Sequence, residues 1–286
     1  MSKERELELA GKYFEEGKEL EKAIKYEASI QKYGQASALF KQCESWEKWV
    51  EVNNQIGRNY YLLGKYEQGI TYLQVILEKG RKQLGKDHLQ VAKSLNNLAI
   101  CYRSQGRFDL AIQFLTEVLA IYTTKLGEEH PLIAKILANL GNAYTTKGND
   151  DLAIDFYKKA LAIFKKNPEK NASSTIMILI NIGSSYLTKG NYDLAIGFFR
   201  ESLALQKRDS AEAHPVLGYS LNNLGRCYYE KGSYDLAIDF YQKALTIHKK
   251  SLGEEHPNLA MILNNLGTCY DAKENYDLAI DFYQNS

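Results

Sequence analysis

His88, His130, His214 and His256 are separated by multiples of 42 residues, and histidine is both a common metal ligand and a general base. Metal ligands must converge within a few ångströms. One histidine per repeated segment is instead spaced by about a packed helix, roughly 10 Å, so these side chains read as polar residues at helix entries. His248 lies outside the series, near the end of a helix, where a cation complements the dipole. Cys101, Cys227 and Cys269 share one register position with Asn59, Ala143 and Ser185, which makes the thiols small packing groups. Cys227 and Cys269 sit a full repeat apart, too far for a disulfide, and Cys43, out of register, is expected to be half-exposed. The acid pairs Glu128-Glu129 and Glu254-Glu255 are neighbours in loops, where charge is the default. No nucleophile–base pair, phosphate loop or zinc spacing is present, so no catalytic residue, metal or cofactor is expected. The chain reads as a binding protein and not an enzyme.

The charge balance narrows the partner. With 36 basic and 35 acidic residues the formal charge is +1, which leaves no electrostatic footprint for nucleic acid or an anionic membrane. The opening Met1-Ser2-Lys3-Glu4-Arg5-Glu6 has no apolar stretch behind it. The most apolar run, Ile176 to Ile180, is far below spanning length. A cytoplasmic protein with reduced thiols is the expectation.

The elements that position these residues come from an internal period. Tyr60, Tyr102, Tyr144, Tyr186, Tyr228 and Tyr270 fall 42 residues apart. Three residues before them stand Gly57, Ala99, Gly141, Gly183, Gly225 and Gly267, and four after them Gly64, Gly106, Gly148, Gly190, Gly232 and Glu274. Small residues from Gly69 to Ala279 and aromatics from Tyr72 to Phe282 keep the same step. Each unit reads as two helices. Leu221, Leu224, Gly225 and Tyr228 share one face of the first; Gly232 ends it in a left-handed turn; and Ala237, Ile238, Tyr241 and Ala244 stripe the second from about Tyr234. Leu126-Gly127-Glu128-Glu129-His130-Pro131 recurs as Leu252-Gly253-Glu254-Glu255-His256-Pro257. Its glycine caps one helix and its proline suits the first turn of the next, as Pro215 also does. Asn167-Pro168-Glu169-Lys170 departs from that junction and predicts a locally different connection.

This unit resembles the tetratricopeptide repeat, whose usual period is about 34 residues. The 42-residue form with Leu263-Asn264-Asn265-Leu266-Gly267 and the Leu-Gly-Glu-Glu-His-Pro junction looks like the kinesin-light-chain-like subclass. The resemblance implies an all-α fold, a right-handed α-α superhelix of tandem helix–turn–helix repeats. The expected divisions are 46–87, 88–129, 130–171, 172–213, 214–255 and 256–286, the last shortened, behind a degenerate capping unit at 1–45. The long heptad seam of kinesin light chains is absent, which argues against a motor-subunit role.

In a stacked array one helix of each pair lines the inner wall, and the resemblance assigns that wall to the first helix. The positions left after removing its core face form a stripe in every copy, with one recurring amide: Gln55, Asn97, Asn139, Asn181, Asn223 and Asn265. Asparagine is a mediocre helix residue, so the series wants a cause. One cause, which the family's grooves exemplify, is an amide ladder gripping the backbone of an extended peptide. Hydrogen bonds between neighbouring repeats, or recent duplication, account for it equally well. Arg58, Lys93, Arg103, Lys135 and Arg226, with Asn142 and Tyr229, surround the amides, and their basic excess favours an acidic protein or peptide. Tyr61, Tyr219, Met177 and Met261 add apolar surface. Two functions follow. The first is a scaffold that binds a polypeptide in its groove. The other is a regulatory arm of a larger signalling NTPase or caspase-like protease, since arrays resembling this one often sit beside such domains.

Overall fold

The computed structural model describes residues 2–166, 168–209, 215–254 and 256–286, with backbone alone at 207–209 and 215. His214, Asn167 and Glu255 lie outside the described residues. All regular structure there is helical, and the chain divides into two compact units, 1–149 and 150–286.

The first unit holds α1 (Lys3–Lys22), α2 (Tyr26–Gln42), α3 (Trp46–Leu62), α4 (Tyr66–Leu84), α5 (Leu89–Ser104), α6 (Phe108–Leu126) and α7 (Pro131–Thr146). The second holds α8 (Asp150–Phe164), α9 (Pro168–Thr188), α10 (Tyr192–Asp209), α11 (Pro215–Glu230), α12 (Tyr234–Leu252), α13 (Pro257–Ala272) and α14 (Tyr276–Gln284). Within each unit successive helices pack against one another, a first helix followed by a second in each hairpin.

The punctuation is chemical. Gly106, Gly190 and Gly232 adopt positive φ between the helices of a hairpin, where a side chain is strained. Glu274 holds the same conformation without being glycine. Gly127 and Gly253 cap the second helices at positive φ. Pro131 and Pro257 open α7 and α13. At the divergent junction α9 starts at Pro168 and runs for 21 residues, against 16 in α5, α7, α11 and α13. The missing junction motif is thus replaced by extra helical turn.

The core repeats with the sequence. A side chain at Gly225 would lie 2.7 Å from the Tyr241 ring, as one at Gly183 would from Phe199, so the bare first helix is what lets a ring fill the hairpin. Tyr228 stacks on Phe240 and Tyr270 on Phe282, each with centroids 5.3 Å apart. Ala153, Ala195, Ala237 and Ala279 are buried where the helices close up.

Candidate functional site

The first-helix stripes have a consistent profile. Asn97, Asn139, Asn181, Asn223, Asn265 and Gln55 are all half-buried. On each side of the amides stand exposed residues, Lys93 and Ser104 on α5, Lys135 and Thr146 on α7, Met261 and Ala272 on α13.

Three of the amides reach back to the preceding repeat. Asn97 donates its Nδ2 hydrogen to the Asn54 carbonyl at 3.0 Å. Asn139 donates to Asn96 Oδ1 at 3.0 Å, and Asn265 to Asn222 Oδ1 at 3.2 Å. These three side chains therefore take part in packing between repeats, with the preceding asparagine as acceptor. That second series, Asn54, Asn96 and Asn222, is one sequence reading missed, though the doubled asparagines at 96–97, 222–223 and 264–265 carried the signal. Each bond uses a donor; among the described residues nothing donates to Oδ1 of Asn97 or Asn265.

The surrounding cations differ among themselves. Arg58 is ion-paired to the largely buried carboxylate of Glu21, which also accepts from the Tyr33 hydroxyl; its charge is neutralised within the chain. Lys93, Lys135 and Arg226 are exposed, Arg103 is half-buried, and none has a carboxylate partner among the described residues. Asn142 is half-buried on the α7 stripe. Tyr229 is half-buried with its ring 5.5 Å from that of Tyr234, and burial raises its hydroxyl pKa. Tyr219 is engaged too: its hydroxyl accepts from Asn258 Nδ2 at 2.8 Å. Met177 and Met261 stay exposed.

The residues with chemical potential resolve into structure. His88, His130 and His256 are N-caps whose Nδ1 atoms accept from Gln90, Leu132 and Asn258 amides at 3.1, 3.2 and 3.2 Å. Burial pushes the thiols of Cys101 and Cys269 up to about 11 and that of Cys227 to about 12, so none is a thiolate nucleophile near neutrality. Two expectations need correction. Cys43 is buried, its thiol 3.5 Å from a Glu6 carboxylate oxygen. His248 is not a solvated cation at a helix end: it is 1% exposed, its Nδ1 has no hydrogen-bond partner among the described residues, and burial lowers its pKa. It occupies the core position of Tyr122 and Phe164, in space that Gly218 leaves open.

A further feature escaped the sequence reading. Lys147, Lys189, Lys231 and Lys273, just beyond the first helices, pair with Asp109, Asp151, Asp193 and Asp235 of the preceding repeats. The constant spacing of 38 residues makes this an ion-pair ladder between repeats.

No group of three potential ligand side chains could hold a metal among the described residues, and no described helix is long and apolar enough to cross a membrane. No curated protein matches the chain. Solved structures share its fold. BtubC (BKLC) from P. vanneervenii is 24% identical, with a TM-score of 0.66 over 77% of this chain and 88% of that one. Apo RapI is 16% identical, with a TM-score of 0.72 over 97% and 96%. The apo quorum sensor NprR from B. thuringiensis is 22% identical, with a TM-score of 0.66 over 95% and 73%. The tetratricopeptide repeat model matches residues 50–124, 121–166, 174–250 and 218–286. With hairpins, turn residues and packing glycines in matching register, the chain belongs to the tetratricopeptide repeat family.

Proposed function

We propose that this protein is a non-catalytic scaffold of the kinesin-light-chain-like subclass that holds an extended polypeptide against its first-helix stripes, with residues 1–45 capping the array. The observation that carries this reading is the stripe profile: half-buried amides flanked by exposed lysines and methionines. The bonds to the preceding repeat fix each side chain. In Asn97 and Asn265 they leave a carbonyl oxygen to accept from a ligand's backbone N–H. Such preorganised acceptors lower the ordering cost of binding. Lys93 and Lys135, without a carboxylate partner among the described residues, favour acidic residues in the ligand, chiefly through association rate and register.

The test uses the whole chain as bait, comparing the parent with a variant carrying Asn97→Ala and Asn265→Ala and one carrying Lys93→Glu and Lys135→Glu. Weaker capture by both variants, with helical content retained, is the expected pattern. Equal capture by all three chains would exclude the amides from the site.

A further inference from the structure

The junction between α8 and α9 lacks the Leu-Gly-Glu-Glu-His-Pro motif, and a cavity of about 320 Å³ lies against it. Lys165, just past α8, is ion-paired at 2.9 Å to Glu201 on α10, and both side chains line the cavity. The first turns of α9 add Pro168, Glu169 and Ala172, and α10 adds Leu205. Ala172 stands in the register of His88, His130 and His256, so this copy supplies a methyl group in place of an imidazole.

Thr175 lines the same cavity. It is 5% exposed, and its hydroxyl is buried with no hydrogen-bond partner among the described residues. Other copies place Val91, Ile133 and Leu259 in that register, all buried. A hydroxyl there weakens the core, because it forgoes its hydrogen bond to water and gains none. A bound group that completes the bond supplies the reason for it. The charges of the lining select that group. Lys165 is committed to Glu201, whereas Glu169 is exposed and has no cation partner among the described residues. An anionic ligand would face two carboxylates against one lysine.

We infer that this cavity binds a small amine whose apolar body ends in a hydroxyl. The ammonium meets Glu169 at the exposed end, and the hydroxyl bonds to Thr175 at the buried end. Pro168, Ala172 and Leu205 take the apolar body. Six residues of α9 separate Glu169 from Thr175, a rise of roughly 9 Å, which suits an arylethylamine with a phenolic hydroxyl. Thr175 stands outside the α9 stripe of Met177, Asn181, Ser184 and Thr188, so the cavity is a separate site from the one proposed for a polypeptide.

The probes are tyramine and 2-phenylethylamine, which lacks the hydroxyl, each titrated into the whole chain at neutral pH and followed by saturation-transfer difference NMR. Both are expected to bind saturably, tyramine roughly threefold or more tightly, in line with one added hydrogen bond. Thr175→Val removes that preference. It also raises the melting temperature of the free chain, since it restores the residue type of Val91. Glu169→Gln weakens both amines roughly two- to fivefold, as loss of an exposed charge pair does, and leaves the melting temperature unchanged. Absence of saturable binding, equal affinity of the two amines for the parent chain, or indifference of both to Glu169→Gln overturns the inference. So does a lower melting temperature for Thr175→Val, because the hydroxyl then already has its partner within the fold.

Discussion

At the scale of single residues, burial decides what each functional-looking side chain can do. His248 is the clearest case. Its ring lies edge-on to Tyr219 at 5.0 Å, beside Gly218 on α11, and His256 at the start of α13 adds a repulsive contribution to the lowering of its pKa by burial. Lys249 and Lys250 follow it on α12, and among the described residues no carboxylate contact compensates a proton there. The folded chain therefore binds the His248 proton less tightly than the unfolded chain. The stability this confers is full above the ordinary histidine value of about 6.5 and is lost as pH falls below it toward the depressed folded value. Melting followed from pH 8 to 5 is expected to fall less steeply for His248→Phe, which restores the aromatic type found at Phe164. Parallel pH profiles would show that His248 is not the group responsible. Glycines in the same helices diverge in sign. Gly225→Ala drives a methyl to 2.7 Å from the Tyr241 ring and costs about 1–3 kcal/mol. Gly197→Ala on α10 meets nothing within 4 Å and gains about 0.5–1 kcal/mol from helix propensity. Urea unfolding of the two variants, expected to shift in opposite directions, checks both.

At the scale of helices, the contacts between repeats show what the sequence disclosed and what it withheld. The hairpins were legible because tyrosine, glycine and alanine recur in register, and each has one steric reason to stand where it does. The partner of the amide series was not, since stripe position alone cannot tell whether Asn139 turns to a ligand or to Asn96, 43 residues earlier. Arg58 read as a free groove cation because its partner, Glu21, sits on α1, outside the 42-residue register. The lysine–aspartate ladder was legible in principle: both series keep step with the tyrosines, and only their mutual distance required a fold. His248 could likewise have been placed in the core by its register mates Tyr122 and Phe164. The ladder's pairs are surface pairs, so they set register more than stability. Lys231→Ala is expected to cost at most about 1 kcal/mol, and the difference from the parent should shrink at 1 M salt, where the screening length falls to about 3 Å. A salt-independent loss would instead assign Lys231 a packing role through its alkyl stem.

At the scale of the whole molecule, a repeat array distributes its stability as a sum of hairpins and the interfaces that couple them, so opening should follow local burial. α5 and α6 are sheltered: Val91, Leu95, Leu98 and Cys101 on one and Leu115, Val118 and Ile121 on the other are buried. α14 buries only Ala279 among its described residues, leaving Tyr276, Leu278, Ile280 and Tyr283 exposed. Native-state hydrogen exchange is therefore expected to release the α14 amides first and to hold those of α5 and α6 longest. If the array opened as one cooperative block, the two sets would exchange with a common free energy, and the additive picture would fail.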